Sequence, residues 1–281
     1  MTSYGVRSSV SRLRRAALRR PAVTGDFLGA GWRRPDTDAL VRQHDAFAQL
    51  LTDLGVAVEV LPADEGQVDS VFCYDPGFVI GSGLVEFRSA KSARRLEGAS
   101  LARALGERRV PTIASLKGTA VMDGGDLCWI ARDVVVAGRG YRTNQAAHDQ
   151  MRRLLEAEGQ QLFSFDLPHD LGPAHVLHLM SGISPITDDL AVVYPRILPV
   201  PLMQMLADRG IALIEVDPVE YATLGGNILA VEPGVAVIFA GHPNVVKAMR
   251  DKGVEVHEIE ASEIAKGDGG PTCLTRPIRR D

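Results

Sequence analysis

Phe47-Ala48-Gln49-Leu50-Leu51-Thr52-Asp53-Leu54-Gly55, followed by Val56-Ala57-Val58-Glu59-Val60-Leu61-Pro62, reads as a helix, a glycine and an apolar strand. The same order returns four more times. Residues 101–106 lead to Val110-Pro111-Thr112-Ile113, and residues 151–158 with Gly159 lead to 161–165. Residues 202–209 with Gly210 lead to 211–216, and residues 245–252 with Gly253 lead to 254–259. The glycines at 55, 106, 159, 210 and 253 stand 51, 53, 51 and 43 residues apart. Each is placed to end a helix in the left-handed conformation that glycine adopts at least cost. Further strand-like runs lie between the copies, at 77–87, 134–137, 191–194 and 235–240. Each unit is therefore of ββαβ type, and the class is α/β. Five near-equal units suit a closed ring better than an open doubly wound sheet. The expectation is a five-bladed, pseudo-fivefold α/β-propeller, with residues 1–281 forming a single domain.

Composition narrows the function classes. The chain has 281 residues, 46% hydrophobic and 23% charged, as in ordinary globular proteins. A formal net charge of −4 gives no reason to expect nucleic acid or an anionic membrane as partner. Cys73, Cys128 and Cys273 show no CxxC spacing, which argues against a disulfide framework or a zinc site. No apolar run reaches the roughly 18 residues of a membrane span. A reduced, cytoplasmic protein is expected. Residues 6–20 are rich in arginine and serine and free of acids, a composition shared with transit peptides. The reading preferred here is a first strand over residues 13–18, ended by Pro21, with residues 1–12 as a candidate disordered lead.

Polar clusters follow the strands. Gly267-Asp268-Gly269-Gly270-Pro271-Thr272-Cys273 is a glycine-rich turn, favouring unusual φ angles and close backbone approach, and it presents a thiol. A cysteine there is a candidate nucleophile, whereas Cys128 sits in an apolar run. Asp69 and Asp75, six apart, can face one site or be two exposed loop acids. Asp123-Gly124-Gly125-Asp126 is either a close-approach loop or a tight hairpin. Gly138-Arg139-Gly140-Tyr141-Arg142 lacks P-loop spacing, and Arg142 is suited to gripping a carboxylate in bidentate fashion. His178 lies between two leucines, with His169 and His175 as rivals for any catalytic role.

Six motifs then occur in order: Asp-Ser-Val-Phe-x-x-Asp at 69–75, Asp-Gly-Gly-Asp at 123–126, Arg-Thr-Asn at 142–144, Leu-His-Leu at 177–179, Asn-Ile-Leu at 227–229 and Gly-Gly-Pro-Thr-Cys at 269–273. Together they resemble the guanidino-group-modifying superfamily, above all the dimethylarginine dimethylaminohydrolases. That family has the five-bladed pentein fold, in agreement with the repeat. The resemblance implies Cys273 as nucleophile, His178 as general acid/base, and Asp75 and Asp123 as the acids that hold a guanidinium. It implies substrate-binding roles for Asp69, Arg94, Arg142, Asn227, Met180 and Leu28, with Arg88 and Arg95 competing with Arg94. Residues 27–32 would be a mobile loop over the site. Two positions depart from the pattern. Asp123 stands where many relatives carry glutamate, and Met180 stands where arginine deiminases and amidinotransferases carry an aspartate.

The activity so implied is cofactor-independent hydrolysis of a guanidinium, with neither metal nor organic cofactor. Nω-methylated arginine would give citrulline and an amine through a thiouronium on Cys273. Arginine deiminase, dihydrolase or amidinotransferase chemistry is the alternative, and a non-catalytic pentein binding protein is a further one. The expected partner is a small guanidino molecule, with neither nucleic acid nor membrane, and a homodimer is one state the resemblance allows.

Overall fold

The computed structural model describes residues 3–281, and its strands form five three-stranded sheets. The first blade holds β1 (Leu13–Arg19), α1 (Thr37–Asp53) and β2 (Ala57–Leu61), and the second holds β3 (Gly77–Ile80), β4 (Gly83–Glu86), α2 (Glu97–Gly106) and β5 (Thr112–Ser115). The third holds β6 (Leu127–Ala131), β7 (Val134–Arg139), α3 (Gln145–Glu156) and β8 (Gln161–Asp166). The fourth holds β9 (Ile183–Thr187), β10 (Leu190–Val193), α4 (Val200–Asp208) and β11 (Ala212–Glu215), followed by the single turn α5 (Pro218–Tyr221). The fifth holds β12 (Leu229–Glu232), β13 (Val235–Phe239), α6 (Pro243–Asp251) and β14 (Glu255–Ile259). The chain ends in α7 (Pro271–Leu274) and β15 (Arg276–Arg280).

One plan repeats in every sheet. The middle strand pairs antiparallel with one neighbour and parallel with the other. The parallel link carries the long helix, because parallel strands need a crossover. In the first blade the antiparallel partner is β15, with Leu13 opposite Arg280 and Ala16 opposite Pro277. The two ends of the chain thus close a pseudo-fivefold α/β ring, as the repeat predicts. Middle strands such as Leu190–Val193 are buried throughout, which is why they read as unbroken apolar runs rather than alternating ones. The helices bury one face, as α3 does with Ala147, His148, Met151 and Leu155.

The helix ends follow the glycine rule in four units of five. Gly55, Gly159, Gly210 and Gly253 have φ of 83°, 75°, 70° and 81°, and the residue after each bonds back into the helix, as Val56 N does to Leu51 O at 3.0 Å. The second unit differs. Gly106 stays inside α2, and the left-handed position falls on Arg109, with φ of 64°. The same back-bond, Val110 N to Leu105 O at 3.0 Å, follows it. The glycine there sits three residues too early, and an arginine carries the strain instead.

The lead to β1 is packed, contrary to the expectation of disorder. Gly5 N donates to Ile278 O at 2.8 Å, Arg280 N donates to Gly5 O at 3.0 Å, and Val6 and Val10 are buried. Residues 1 and 2 of that expectation lie outside the described residues. Among the described residues no helix is long and apolar enough to cross a membrane.

Candidate active site

Each blade delivers one polar side chain from the same place, just before its first antiparallel strand. Asp75 precedes β3, Asp123 precedes β6, His178 precedes β9, Asn227 precedes β12 and Cys273 precedes β15. The ring therefore turns five positions far apart in sequence into neighbours. Asp123 and His178 each sit at the start of a single 3-10 turn, Gly124–Asp126 and Leu179–Ser181. Ser181 Oγ accepts from His178 N at 3.1 Å and fixes that turn.

The five are stitched together. Gly125 N donates to Asp75 Oδ1 at 3.0 Å, and Gly124 N donates to Asp75 O at 2.8 Å. His178 Nε2 lies 3.3 Å from Asp123 Oδ2, and His178 Nδ1 lies 4.0 Å from Asp75 Oδ1. Tyr74 N donates to Cys273 O at 3.1 Å, which ties the Cys273 backbone to the residue before Asp75. Asn227 Nδ2 donates to Cys273 Sγ at 3.1 Å while its Oδ1 accepts from Thr272 N at 3.1 Å. Gly125 is required by close approach, since a Cβ there would come 2.5 Å from His178 Nδ1. The glycines before Cys273 serve the same end and not unusual φ: Gly269 packs on Phe72 and Gly270 on Asn227, and the left-handed residue of that turn is Asp268.

Charge in the site is strongly organised. Burial opposes a charge on His178, but Asp75, Asp123 and Asp126 outweigh it and raise its pKa to about 9. Burial works against the Asp123 carboxylate too, yet its contact with His178 prevails and holds it at about 2. Asp126 is pushed up to about 6 by burial, against the pull of His178. Burial and then Asp75 push the Cys273 thiol up to about 11, opposed by hydrogen bonding from Gly270 and Asn227. These surroundings favour a charged imidazole and a protonated thiol.

Several expected substrate contacts are otherwise engaged. Arg94 is buried and donates from Nη1 to Asp75 Oδ2 at 2.7 Å, and from Nε and Nη2 to Glu97 at 3.0 and 2.8 Å. Each of its three nitrogens thus has an internal acceptor. Glu97, three residues on, is the partner the sequence reading missed; the i, i+3 spacing was its signal. Asp69 accepts from Trp32 Nε1 at 2.8 Å and Lys91 Nζ at 2.6 Å, so both its oxygens serve internal donors. Lys91 also donates to Ala30 O at 2.7 Å, and no local pattern marked it in the sequence. Residues 27–32 are strapped down by these bonds and by Trp32, which stacks on Phe72 with centroids 5.4 Å apart. Leu28, at their tip, is 64% exposed. Met180 lines a cavity it shares with Tyr74, Trp129 and Arg276. Arg142 remains in place, its Nη1 3.5 Å from Asp123 Oδ2. The carbonyl of Arg88 accepts from Met122 N at 3.0 Å, and its buried Nε has no partner among the described residues. Arg95 is exposed. His169 is held on Tyr141 at 2.6 Å, and His175 lies exposed in the loop ahead of His178.

Five ββαβ blades around a one-residue-per-blade polar cluster define a pentein. A family model described as arginine deiminase matches residues 198–280. "Uncharacterized protein YkgA" of Bacillus subtilis is 28% identical over 242 residues, covering 85% of this chain and 79% of that protein. The N(G),N(G)-dimethylarginine dimethylaminohydrolase of Streptomyces coelicolor is 27% identical over 280 residues, covering 95% of this chain and 97% of its own. The structure of the Pseudomonas aeruginosa dimethylarginine dimethylaminohydrolase complexed with citrulline superposes with a TM-score of 0.79 at 23% identity, over 94% of this chain and 99% of that one. The arginine deiminases it matches are longer; the chain spans 60% of that from Rhodococcus erythropolis. The chain is thus similar to dimethylarginine dimethylaminohydrolases over nearly its whole length, and to the arginine deiminase model over its last third.

Proposed function

We propose that this chain is a hydrolase of the guanidinium group of arginine-type substrates, with Nω-methylated arginine as its substrate and citrulline and an amine as products. The observation that carries the reading is the five-blade cluster in which His178 sits between Asp75 and Asp123 and Asn227 holds Cys273 Sγ. Near-full-length similarity to a dimethylarginine hydrolase supports it.

A guanidinium is planar, cationic and resonance-stabilised, so its central carbon resists attack. Two carboxylates in its plane neutralise it and fix its orientation, against a desolvation cost of several kcal/mol. Asp123 Oδ1 is buried without a partner, which leaves one acceptor for a guanidinium N–H. The arriving cation offsets the field of the carboxylates around Cys273 and draws its pKa back from about 11, so that the thiol releases its proton to solvent. Sγ then attacks the guanidinium carbon, and the S–C bond forms. The C–N bond to the leaving amine breaks as His178 gives that nitrogen its proton. Neutral His178 next takes a proton from water, whose oxygen bonds the thiouronium carbon as the C–S bond breaks. Citrulline leaves and the thiolate is regenerated. Arg142, with Arg88, receives the α-carboxylate, and neutral Met180 favours N-methyl over free N–H₂ groups.

The test is product analysis with arginine, its Nω-methylated forms and agmatine. Citrulline with methylamine or dimethylamine supports the reading. Citrulline with ammonia from arginine, at a higher kcat/KM, would establish deiminase chemistry in its place.

A further inference from the structure

The ring surrounds a second polar feature, lined in part by Met180, whose two arginines take no part in the proposed reaction. A cavity of about 20 Å³ lies where the first strands of all five blades meet, with Phe78, Trp129, Pro185, Leu229 and Arg276 on its wall. Arg280 completes that wall. Arg276, Arg280 and Trp129 are 1%, 8% and 2% exposed.

We infer that this axial cavity binds one small monovalent anion of the halide class between Arg276 and Arg280. Three buried N–H donors of residues that line it have no acceptor among the described residues: Arg276 Nε, Arg280 Nε and Trp129 Nε1. The remaining bonds of the two guanidinium groups go to uncharged carbonyls. Arg276 Nη1 donates to Tyr74 O at 2.9 Å and to Gly77 O, and its guanidinium lies 4.2 Å over the Tyr74 ring. Arg280 donates to Ser11 O at 2.5 Å and Ala230 O at 2.7 Å. Carbonyl dipoles and a ring face orient these cations but carry no countercharge. Asp75 acts on Arg276 only from a distance, and no carboxylate acts on Arg280. Burial accordingly pushes both arginines down, Arg280 to about 10.

Two buried like charges with no counter-ion are costly, and a protein interior meets such charges with a partner. Water is the weaker occupant. It accepts two hydrogen bonds and has to place its own protons, whereas this wall offers unused donors. An acceptor-only anion takes all three and removes one unit of charge. The volume is close to the roughly 10–15 Å³ that a single water requires, which suits a monatomic ion better than phosphate or an organic acid.

Bromide is the probe. Crystals of the full chain soaked in sodium bromide are expected to show an anomalous peak between Arg276 and Arg280. At fixed ionic strength, unfolding midpoints are expected to rise saturably by about 2–4 °C from gluconate to bromide or chloride. Trp129→Phe, which keeps the wall and removes one donor, should weaken the halide midpoint severalfold, and Arg280→Met should abolish the dependence. If Arg280→Met fails to fold, the wild-type crystal and Trp129→Phe still decide. Density of water height without anomalous signal overturns the proposal, as do equal midpoints in gluconate and bromide. A peak that survives in Arg280→Met with no stability effect marks an adventitious ion only, and overturns it too.

Discussion

Arg94 donates from Nη1 to Asp75 Oδ2 at 2.7 Å, so one of the acids assigned to the substrate already holds an internal guanidinium. Its other two nitrogens grip Glu97, whose own pKa burial raises to about 7 against the pull of Arg94. Arg94 is thereby a structural charge bridging two buried carboxylates. Arg94→Ala should leave Glu97 unpaired, strip Asp75 of one partner, and destabilise the fold by about 3–5 kcal/mol in urea titrations without substrate. Arg142→Ala, which removes one long contact at 3.5 Å, should destabilise less than Arg94→Ala and raise KM at least tenfold for α-carboxylate substrates. The reverse pattern would restore Arg94 as the carboxylate binder.

Arg109 occupies the left-handed position that glycine fills in the other four units. Non-glycine residues there carry roughly 1–2 kcal/mol of strain, partly offset because glycine is freer in the unfolded chain. Arg109→Gly is expected to stabilise by about 0.5–1 kcal/mol, and Gly159→Ala to destabilise by about 1–2 kcal/mol. Thermal unfolding of both variants checks the pair; a destabilised Arg109→Gly contradicts the assignment.

The repeat that decides the architecture was legible because helix, glycine and strand recur within the chain itself. The exception at Gly106 was hidden, since a glycine three residues early looks the same in sequence as one at the helix end. The polar cluster was legible in identity but not in connection. Asp75, Asp123, His178, Asn227 and Cys273 lie in five different blades, and only ring closure by β15 makes them neighbours. Lys91 and the strap on Asp69 depend on contacts between residues 22 and 61 positions apart, which leave no local pattern.

The raised pKa of His178 has two consequences with defined sign. Its charged form gives a proton to the leaving amine, so kcat/KM should fall as pH rises through about 9. Because the value is raised from 6.5, the stabilisation from the imidazolium is fully present below about pH 6.5 and is lost as pH rises through about 9. The stability difference between wild type and His178→Asn should shrink over that window. A difference that grows with pH contradicts a charged His178.

Lys91 ties Ala30 O to Asp69, and Trp32 ties the same carboxylate from the other side. Lys91→Met should release the exposed tip around Leu28 and speed limited proteolysis between Gly25 and Gly31 severalfold, with little change in the unfolding midpoint. Unchanged cleavage would mean that Trp32 alone holds the strap.

The most direct test of the account is citrulline release from Nω,Nω-dimethylarginine by wild type and by Cys273→Ser, with circular dichroism to verify the fold. The account predicts citrulline and dimethylamine in equal amounts from wild type and no turnover from a folded Cys273→Ser, because the thiouronium cannot form. Citrulline production by Cys273→Ser at the wild-type rate would contradict it.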